Sequence, residues 1–349
     1  MASLISRTLV MAIFFVAASA AQGQVITGAH PEGLSTIPLG TAWRVFFNGE
    51  IKLDSAAKLE AFLRDNKVPA ESSIVFNSPG GNLYAGMEIG RLVRKYRLRT
   101  DVGIQESPNQ MGYVAGGCYS ACSLAYIGGR FRFLQKASHF GIHRFSFTKP
   151  IKGETDISQI TSAQIVAYLR EMGIDTAFYT LSTKAGADGM LEPPRNVLEQ
   201  LNVLNYGFEK ANWSIESLAG GLYVKGQRET EYGINKFILY CTKKQPELYI
   251  IIDPQGHENE LLHILNANSL VIDGTLTPIQ PTSRKMKNGW LNATYSLSAV
   301  LANSIRRARS VGVVFQARYG APIFLGFDSM PTGEDGRRKI DGILSSCGI

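Results

Sequence analysis

The chain has 349 residues, of which 45% are hydrophobic and 19% are charged, and its formal net charge is +7 at pH 7. This length suggests two domains with room for buried cores, and the composition excludes an intrinsically disordered, coiled-coil or collagen-like chain. The excess positive charge is divided equally between residues 21–215 and 216–349 rather than clustered, so no nucleic-acid partner is expected.

The first twenty residues have the pattern of a secretory signal. Arg7 ends a short positive segment, Leu9–Ala18 is entirely apolar, and residues 18–20 (Ala-Ser-Ala) supply small side chains for cleavage. The apolar run is too short for a membrane anchor, because about 20 residues are needed to span a bilayer. We therefore expect residues 1–20 to be a signal peptide. The mature protein would be exported, periplasmic or secreted, with no stable membrane insertion.

Strands and helices alternate in the first half of the remaining chain. The pattern predicts, in order, a strand at Trp43–Phe47, a helix at Ser55–Arg64, a strand at Ile74–Phe76, a helix from Leu83 to about Tyr96, extended segments at Leu98–Val102 and Gly112–Ala115, a buried helix at Ser120–Ile127 and a helical region at Glu154–Lys184. A strand, a Gly-rich turn, a helix and a further strand are typical of an α/β domain with a largely parallel sheet.

The composition changes near Trp213–Gly221, which places a domain boundary at about residue 215. Beyond it the pattern predicts strands at Lys236–Cys241, Leu248–Asp253, Gly312–Tyr319 and Pro322–Phe327, and helices at Ser296–Arg309 and Gly333–Cys347. The sequence therefore predicts a domain at 21–215 and a smaller α+β domain at 216–349. No catalytic pattern occurs in the second domain, which is interpreted as accessory.

Three short segments of the first domain carry residue types that hydrolytic chemistry needs. Asn77–Gly81 is a Gly-rich turn whose backbone N–H groups could stabilise an oxyanion, although such a turn is more often a plain strand–helix connection. Gly116–Cys122 places Ser120 at the sharp entry of a buried helix, where a serine is either a nucleophile or an ordinary helix cap. Gly141–His143 ends an extended segment with a histidine suited to act as the general base of an activated serine.

Taken together, the stretches IVFNSPGGNLYAGMEIG, CYSACSLAYIGG and ASHFGIH resemble the proteolytic subunit of the Clp protease and its wider crotonase-like superfamily. The resemblance covers about residues 40–210. It implies that the first domain has the parallel-sheet fold of the crotonase and Clp-protease families, joined here to the second α+β domain. It also implies that the first domain contains a Ser-His-Asp active site.

The family's site residues transfer to matching positions of this chain. The resemblance implies Ser120 as the nucleophile and His143 as its base. The oxyanion hole would be formed at the turn and helix entry by Gly80, Gly81 and Ala121. Asp188 occupies the place of the third member, and an ordinary loop aspartate is the alternative there. A Ser–Lys dyad using Lys136 or Lys184 is less favoured, because neither lysine lies in a recognisable motif.

An exported chain with an even number of cysteines favours disulfides. We expect the pairs Cys241–Cys347 and Cys118–Cys122. The second pair brackets Ser120 and requires the chain to bend, because two positions four apart on a regular helix aim their side chains poorly for a bridge. Such a bridge would lock the serine turn, whereas the alternative is two small buried residues. The five histidines do not lie at ligand spacing around the cysteines, so no metal or other cofactor is expected.

These observations predict an exported, ATP-independent serine peptidase, since no ATP-driven unfoldase is expected outside the cytoplasm. Its substrate would be a peptide or an unfolded protein. The alternative is a non-catalytic binding or scaffold module on the same fold. Acyl-CoA chemistry, known among crotonase relatives, is disfavoured because the compartment would lack the cofactor. Relatives often form rings or stacked trimers, so a homo-oligomer is possible.

Overall fold

The structure is a computed structural model, and it describes residues 24–30, 43–146, 153–186 and 189–349. The expected signal peptide and Asp188 lie outside the described residues. The described chain folds into two compact units. Unit 1 contains the residues up to Gly129 together with Leu134–Val197, and unit 2 contains Arg130–Phe133 and Leu198–Ile349. The protein is thus a mixed α/β protein with several sheets.

A four-stranded sheet forms the centre of unit 1. Its strands, in their order in the sheet, are β1 (Val25–Ala29), β2 (Arg44–Asn48), β3 (Ser73–Asn77) and β4 (Arg99–Val102). β2, β3 and β4 run parallel, as the sequence predicted, and β1 pairs antiparallel with β2. The three middle residues of β2 and of β3 are all buried, which is the usual pattern in a parallel sheet whose two faces are both covered.

The helices of this part of the chain are α1 (Ser55–Asp65), α2 (Leu83–Lys95), α3 (Ala121–Tyr126), α4 (Glu154–Glu171), α5 (Ala177–Ser182) and α6 (Arg195–Gln200). α2 begins after Asn82, whose side chain accepts a hydrogen bond from the Ala85 N–H at 2.9 Å and so caps the helix. The helical region expected over Glu154–Lys184 is two helices rather than one. Gly173 adopts a left-handed conformation with φ of +70° just after α4, where a glycine commonly ends a helix.

Two short strand pairs complete unit 1. β5 (Ile104–Gln105) pairs antiparallel with β6 (Tyr113–Val114), and β7 (Gly117–Tyr119) pairs in parallel with β8 (His139–Gly141). Ser78, directly after β3, forms a bridge with Cys118 of β7. The carboxyl ends of β3, β7 and β8 therefore lie together, and the residues that follow each of them form the candidate site.

Two antiparallel sheets form the framework of unit 2. Their strands are β9 (Asn212–Leu218), β10 (Gly221–Thr230), β11 (Gly233–Thr242), β12 (Gln245–Ile252), β13 (Ala267–Ile272), β14 (Thr275–Ile279), β15 (Ser283–Lys287), β16 (Trp290–Ser296), β17 (Ser310–Gln316) and β18 (Leu325–Pro331). The strand order is β15-β16-β12-β11-β10-β9 in one sheet and β14-β13-β17-β18 in the other. Both sheets contribute to one apolar core, in which Phe237, Leu248 and Phe315 are fully buried.

Two helices of unit 2, α7 (Ala299–Arg307) and α8 (Gly333–Ser346), confirm the predicted positions. The sequence prediction omitted the strands β9, β10 and β13 to β16, and it placed the last strand a few residues too early. Two of the missed hairpins have clear turn signals. Asp273-Gly274 joins β13 to β14 and Asn288-Gly289 joins β15 to β16, and all four residues have positive φ, as two-residue hairpin turns require.

Candidate active site

Ser120 lies between β7 and α3 in a backbone conformation that is rare for a residue with a side chain. Its φ and ψ are +55° and −124°, a region that costs on the order of 1–3 kcal/mol. The Ser120 N–H donates to the Gly141 carbonyl at 3.0 Å, and β7 is held between β8 and Ser78. This sharp strand-to-helix turn presents the hydroxyl beside the amino-terminal end of α3, an arrangement found at the nucleophiles of many hydrolases.

His143 follows β8 and contacts the serine directly. Its Nε2 lies 2.6 Å from Ser120 Oγ. The preceding residue, Ile142, exchanges two backbone hydrogen bonds of 2.9 Å with Leu191, which fix the chain just before the histidine. A serine hydroxyl within hydrogen-bond distance of an imidazole nitrogen is the geometry in which the ring can take the hydroxyl proton. The structure thus brings together two residues that lie 23 positions apart in the sequence.

The other ring nitrogen of His143 is buried. Within the described residues, Nδ1 has no hydrogen-bond partner. Asp188, which the sequence suggests as that partner, lies outside the described residues. Its neighbours lie alongside the histidine segment: the Ala185 carbonyl accepts from the Arg144 N–H at 3.2 Å, and Leu191 pairs with Ile142. Ala185 and Leu191 are therefore each bonded to a residue next to His143 in the chain.

The Gly-rich turn after β3 lies against the serine turn. Gly80 and Gly81 have φ values of +101° and +134°, which strongly favour glycine. The Gly80 N–H donates to Ser78 Oγ at 3.1 Å. A Cβ placed on Gly80 would lie 2.7 Å from Ser120 Cβ, and one on Gly81 would collide with the Ile51 carbonyl. The turn therefore needs glycine at both positions, for conformation and for space.

Two backbone N–H groups lie at the junction of the glycine turn and the serine turn, one in each. In the part of the chain that the structure describes, neither Gly81 nor Ala121 donates its N–H to a protein group. Ala121 is the first residue of α3, so its N–H belongs to the unsatisfied first turn of a helix. In serine hydrolases an oxyanion hole is formed by backbone donors of this kind. Gly80 does not offer a donor of this kind, because its N–H is already bonded to Ser78.

Both expected disulfides are present. Cys118 in β7 is bonded to Cys122 in α3 across a Cα–Cα distance of 5.3 Å, and Cys241 is bonded to Cys347 across 5.6 Å. The first pair is possible because the chain bends at Ser120 instead of continuing as a helix, as a bond between positions four apart requires. Cys118 and Cys122 are both fully buried.

A small cavity of about 50 Å³ opens beside Ser120 and His143. Most of its remaining lining is apolar and comes from α2, α3, α4 and α5, including Leu124, Ile165 and Phe178. Its polar side includes Tyr179 and Ser182. Lys136 and Lys184 are exposed and do not line this cavity.

Tyr119, next to the nucleophile candidate, lies on the opposite side of β7 from Cys118. Its ring occupies the space that a Cβ would need on Gly117 or on Gly141. Burial raises the pKa of Tyr119, and the negative charge of Glu192 raises it further, so the phenol is neutral at physiological pH. The ring therefore acts as a neutral packing group over the β7–β8 pair.

Two supporting residues were not singled out from the sequence. Ser123 Oγ donates to the Ser120 carbonyl at 2.7 Å, and Asn77 Oδ1 accepts from the Gly117 N–H at 3.1 Å. Both hydrogen bonds hold the backbone of the serine turn. Their positions inside the two matching motifs were the available signal, but their partners depend on tertiary contacts.

The described residues contain no group of three or more His, Cys, Asp or Glu side chains able to hold a metal ion. None of the helices within the described ranges has the length and apolar composition of a membrane span.

No protein-family model matches the chain, and no curated protein matches it. Among solved structures, a mutant of ClpP1 from Listeria monocytogenes is similar to this chain with 19% sequence identity and a TM-score of 0.36. The similarity covers 46% of this chain and 88% of that one. The function proposed below therefore rests on the residues of this chain.

Proposed function

We propose that the protein is a serine peptidase in which Ser120 is the nucleophile and His143 is the general base. The observation that carries the proposal is the 2.6 Å contact between Ser120 Oγ and His143 Nε2 on a strained turn. The N–H groups of Gly81 and Ala121, which have no acceptor among the described residues, support it. A structural serine at a helix entry requires none of these features. Asp188 is proposed as the third member, facing His143 Nδ1.

The chemistry follows from these positions. Ser120 Oγ attacks the scissile carbonyl carbon while its proton passes to His143 Nε2, and the carbonyl oxygen becomes an oxyanion that accepts hydrogen bonds from Gly81 and Ala121. The imidazolium returns the proton to the leaving amine as the C–N bond breaks. A water molecule then releases the acyl group by the same steps. Asp188 would keep the proton of the neutral ring on Nδ1 and stabilise the imidazolium.

The site also supports a proposal on the substrate. A cavity of about 50 Å³ with a mainly apolar lining admits a small apolar side chain next to the scissile bond. We propose peptides or unfolded proteins as substrates, without an ATP-driven partner. The apolar amino-terminal segment and the two disulfides support an exported protein, periplasmic or secreted.

On the same basis, residues 21–215 are proposed to be the Clp/crotonase-like domain and residues 216–349 an accessory domain. The parallel strands β2 to β4 and the matching motifs support the first assignment. The absence of a catalytic pattern in the second domain supports the other. Assembly into a homo-oligomer is part of the proposal and is readily measured by light scattering.

Labelling with a fluorophosphonate probe tests the proposed function. The serine oxygen attacks phosphorus, fluoride leaves, and the hydroxyl proton passes to the base. We expect the oxidised protein to be labelled once, the Ser120→Ala variant not to be labelled, and the His143→Ala variant to react about 10²–10⁴ times more slowly. Ser217→Ala, which removes an exposed hydroxyl in β9 of unit 2, is the matched control and should react at the wild-type rate.

Two results would contradict the proposal. One is an absence of labelling in well-folded oxidised protein, which favours the non-catalytic binding module. The other is labelling that persists in Ser120→Ala, which would place the reactive serine elsewhere.

A further inference from the structure

We infer that the Cys118–Cys122 disulfide is a positioning element for the nucleophile: it holds the Ser120 turn and the Ala121 N–H in the arrangement that the reaction needs. The inference rests on the proposed function and adds to it a role for two residues that do not contact substrate. It follows from where the bond lies, since its two ends enclose the strained residue.

The disulfide closes a very short loop around the site. The two cysteines are four residues apart, and the residues between them are Tyr119, Ser120 and Ala121. The loop thus contains the residue with φ of +55° and one of the two proposed oxyanion donors. Both sulfur atoms lie in the interior of unit 1, where each cysteine is fully buried.

The two sides of this loop are held by different kinds of contact: the β7 side by strand pairing, and the α3 side by tertiary packing that includes the 2.7 Å hydrogen bond from the Tyr168 hydroxyl to the Leu124 carbonyl. On the β7 side, Cys118 is paired with Phe140 of β8 and bridged to Ser78. On the other side, α3 has only six residues, and a helix this short is not stable by itself. The disulfide ties this helix to the firmly held strand.

The backbone strain at Ser120 connects the Cys118–Cys122 disulfide with the reactivity of the serine. A residue in a costly conformation relaxes unless its surroundings hold it there. Relaxation would move Oγ relative to His143 Nε2 and rotate the Ala121 N–H away from the Gly81 N–H. Because a misplacement of about 1 Å can cost about 10²-fold in rate, loss of the tie should slow the serine by tenfold or more.

The second disulfide offers a matched comparison. Cys241 and Cys347 are 106 residues apart and both lie in unit 2. In the loop-closure description, this longer loop gives the greater stabilisation of the fold. If disulfides acted here only by stabilising the chain, removing this bond would disturb the protein more than removing the short one. The positioning role predicts the reverse order for reactivity at Ser120.

The test compares three double variants with the oxidised wild-type protein. Cys118→Ala with Cys122→Ala removes the bond, and Cys118→Ser with Cys122→Ser does so with side chains of closer size. Cys241→Ala with Cys347→Ala is the control. For each, the rate of fluorophosphonate labelling and the amide hydrogen exchange of residues 117–126 are measured, together with the exchange of the rest of unit 1.

We expect both Cys118/Cys122 variants to be labelled at least about tenfold more slowly, with faster exchange confined to residues 117–126, and the control to react at the wild-type rate. Labelling within about twofold of the wild-type rate would overturn the inference. Faster exchange throughout unit 1 would also overturn it, because the bond would then only keep the unit folded.

Failure of the proposed function is recognised separately, as an absence of labelling in the oxidised wild-type protein. Hydrogen exchange then decides the role of the bond without reference to activity. Faster exchange limited to residues 117–126 in the Cys118/Cys122 variants supports a role of the disulfide in holding the Ser120 turn. Unchanged exchange in these residues contradicts it.

Discussion

The proposed third residue of the site is the hydrogen-bond partner of the buried His143 Nδ1. A buried ring nitrogen without a partner is costly, so a hydrogen-bonding group is needed at this position. The proposed third member, Asp188, lies in the sequence between Ala185 and Leu191, whose backbone groups bond to Arg144 and Ile142. Asp188 is proposed here on the sequence motif, and the following substitution tests it.

We predict that Asp188→Asn lowers the labelling rate by about 10⁴-fold while leaving the thermal stability of the protein nearly unchanged. The physical reason is that an amide in place of the carboxylate favours the wrong tautomer of the histidine and does not stabilise its charged form. The measurement is the labelling rate together with the melting temperature of each variant.

Glu192→Gln is the control for this prediction. Glu192 is an exposed carboxylate four residues further along, and it bonds to His139 instead of His143. Its variant should react at the wild-type rate. Equal effects of the two substitutions, or no effect of Asp188→Asn, would remove Asp188 from the site.

At the scale of elements, the position of α3 depends on glycines in the neighbouring helix α2. A Cβ on Gly86 would lie 2.5 Å from the Ala121 carbonyl, and one on Gly90 would collide with the Tyr168 hydroxyl. The two glycines are four residues apart, so they lie on one face of α2 and allow α3 to approach closely. Since α3 carries the Ala121 N–H, this contact also helps to place the proposed oxyanion donor.

We predict that Gly86→Ala lowers both the melting temperature and the labelling rate, although residue 86 is a glycine within a helix. Replacing an unhindered helical glycine by alanine usually stabilises a protein by about 0.5–1 kcal/mol. At Gly86 the added methyl group displaces the Ala121 carbonyl, so the sign should reverse. Thermal unfolding and labelling kinetics measure the two effects.

Gly342→Ala is the matched control for the element-scale prediction. Gly342 lies in α8, and a Cβ there would meet no other atom within 4 Å. This variant should show the ordinary gain in stability and an unchanged labelling rate. A gain in stability at Gly86 as well would show that α2 and α3 do not restrict each other as described.

The sequence predicts a helix or a strand well where its apolar residues recur at a regular spacing. The parallel strands and the helices α1 and α2 could be predicted, because their apolar spacing is regular and a cap precedes α2. The close contact between α2 and α3 could not be predicted, because the Ala121 carbonyl that lies against Gly86 belongs to a residue 35 positions away in the sequence. The hairpins β13–β14 and β15–β16 of unit 2 have Asp-Gly and Asn-Gly turns, so the sequence does contain a local signal for them.

At the scale of the whole molecule, the two disulfides have different physical roles. Loop closure predicts a stabilisation of about 5 kcal/mol for the long Cys241–Cys347 loop and about 2 kcal/mol for the short Cys118–Cys122 loop. The short bond contributes less to stability, yet it lies at the candidate site. Its location is therefore better explained by geometry at Ser120 than by stability of the chain.

The parts of the candidate site that lie within short continuous motifs could be predicted from the sequence. Ser120, His143 and the glycine turn each lie in a short segment with recognisable chemistry, and the even cysteine count indicated the bridges. Ser123 and Asn77 were not predicted, because the groups they bind become neighbours only when β3, β7 and α3 meet. The bend at Ser120 is expected from the sequence on two grounds, as the sharp entry of a buried helix and as a condition for the Cys118–Cys122 bond.

The most direct test of the account is an experimental structure of the protein after reaction with a fluorophosphonate. The account predicts a covalent bond between Ser120 Oγ and phosphorus, with the phosphoryl oxygen about 2.7–3.1 Å from both the Gly81 and Ala121 nitrogen atoms. It also predicts a carboxylate oxygen of Asp188 bonded to His143 Nδ1. An adduct whose phosphoryl oxygen points into solvent, or a lysine in place of His143 beside the adduct, would contradict the account.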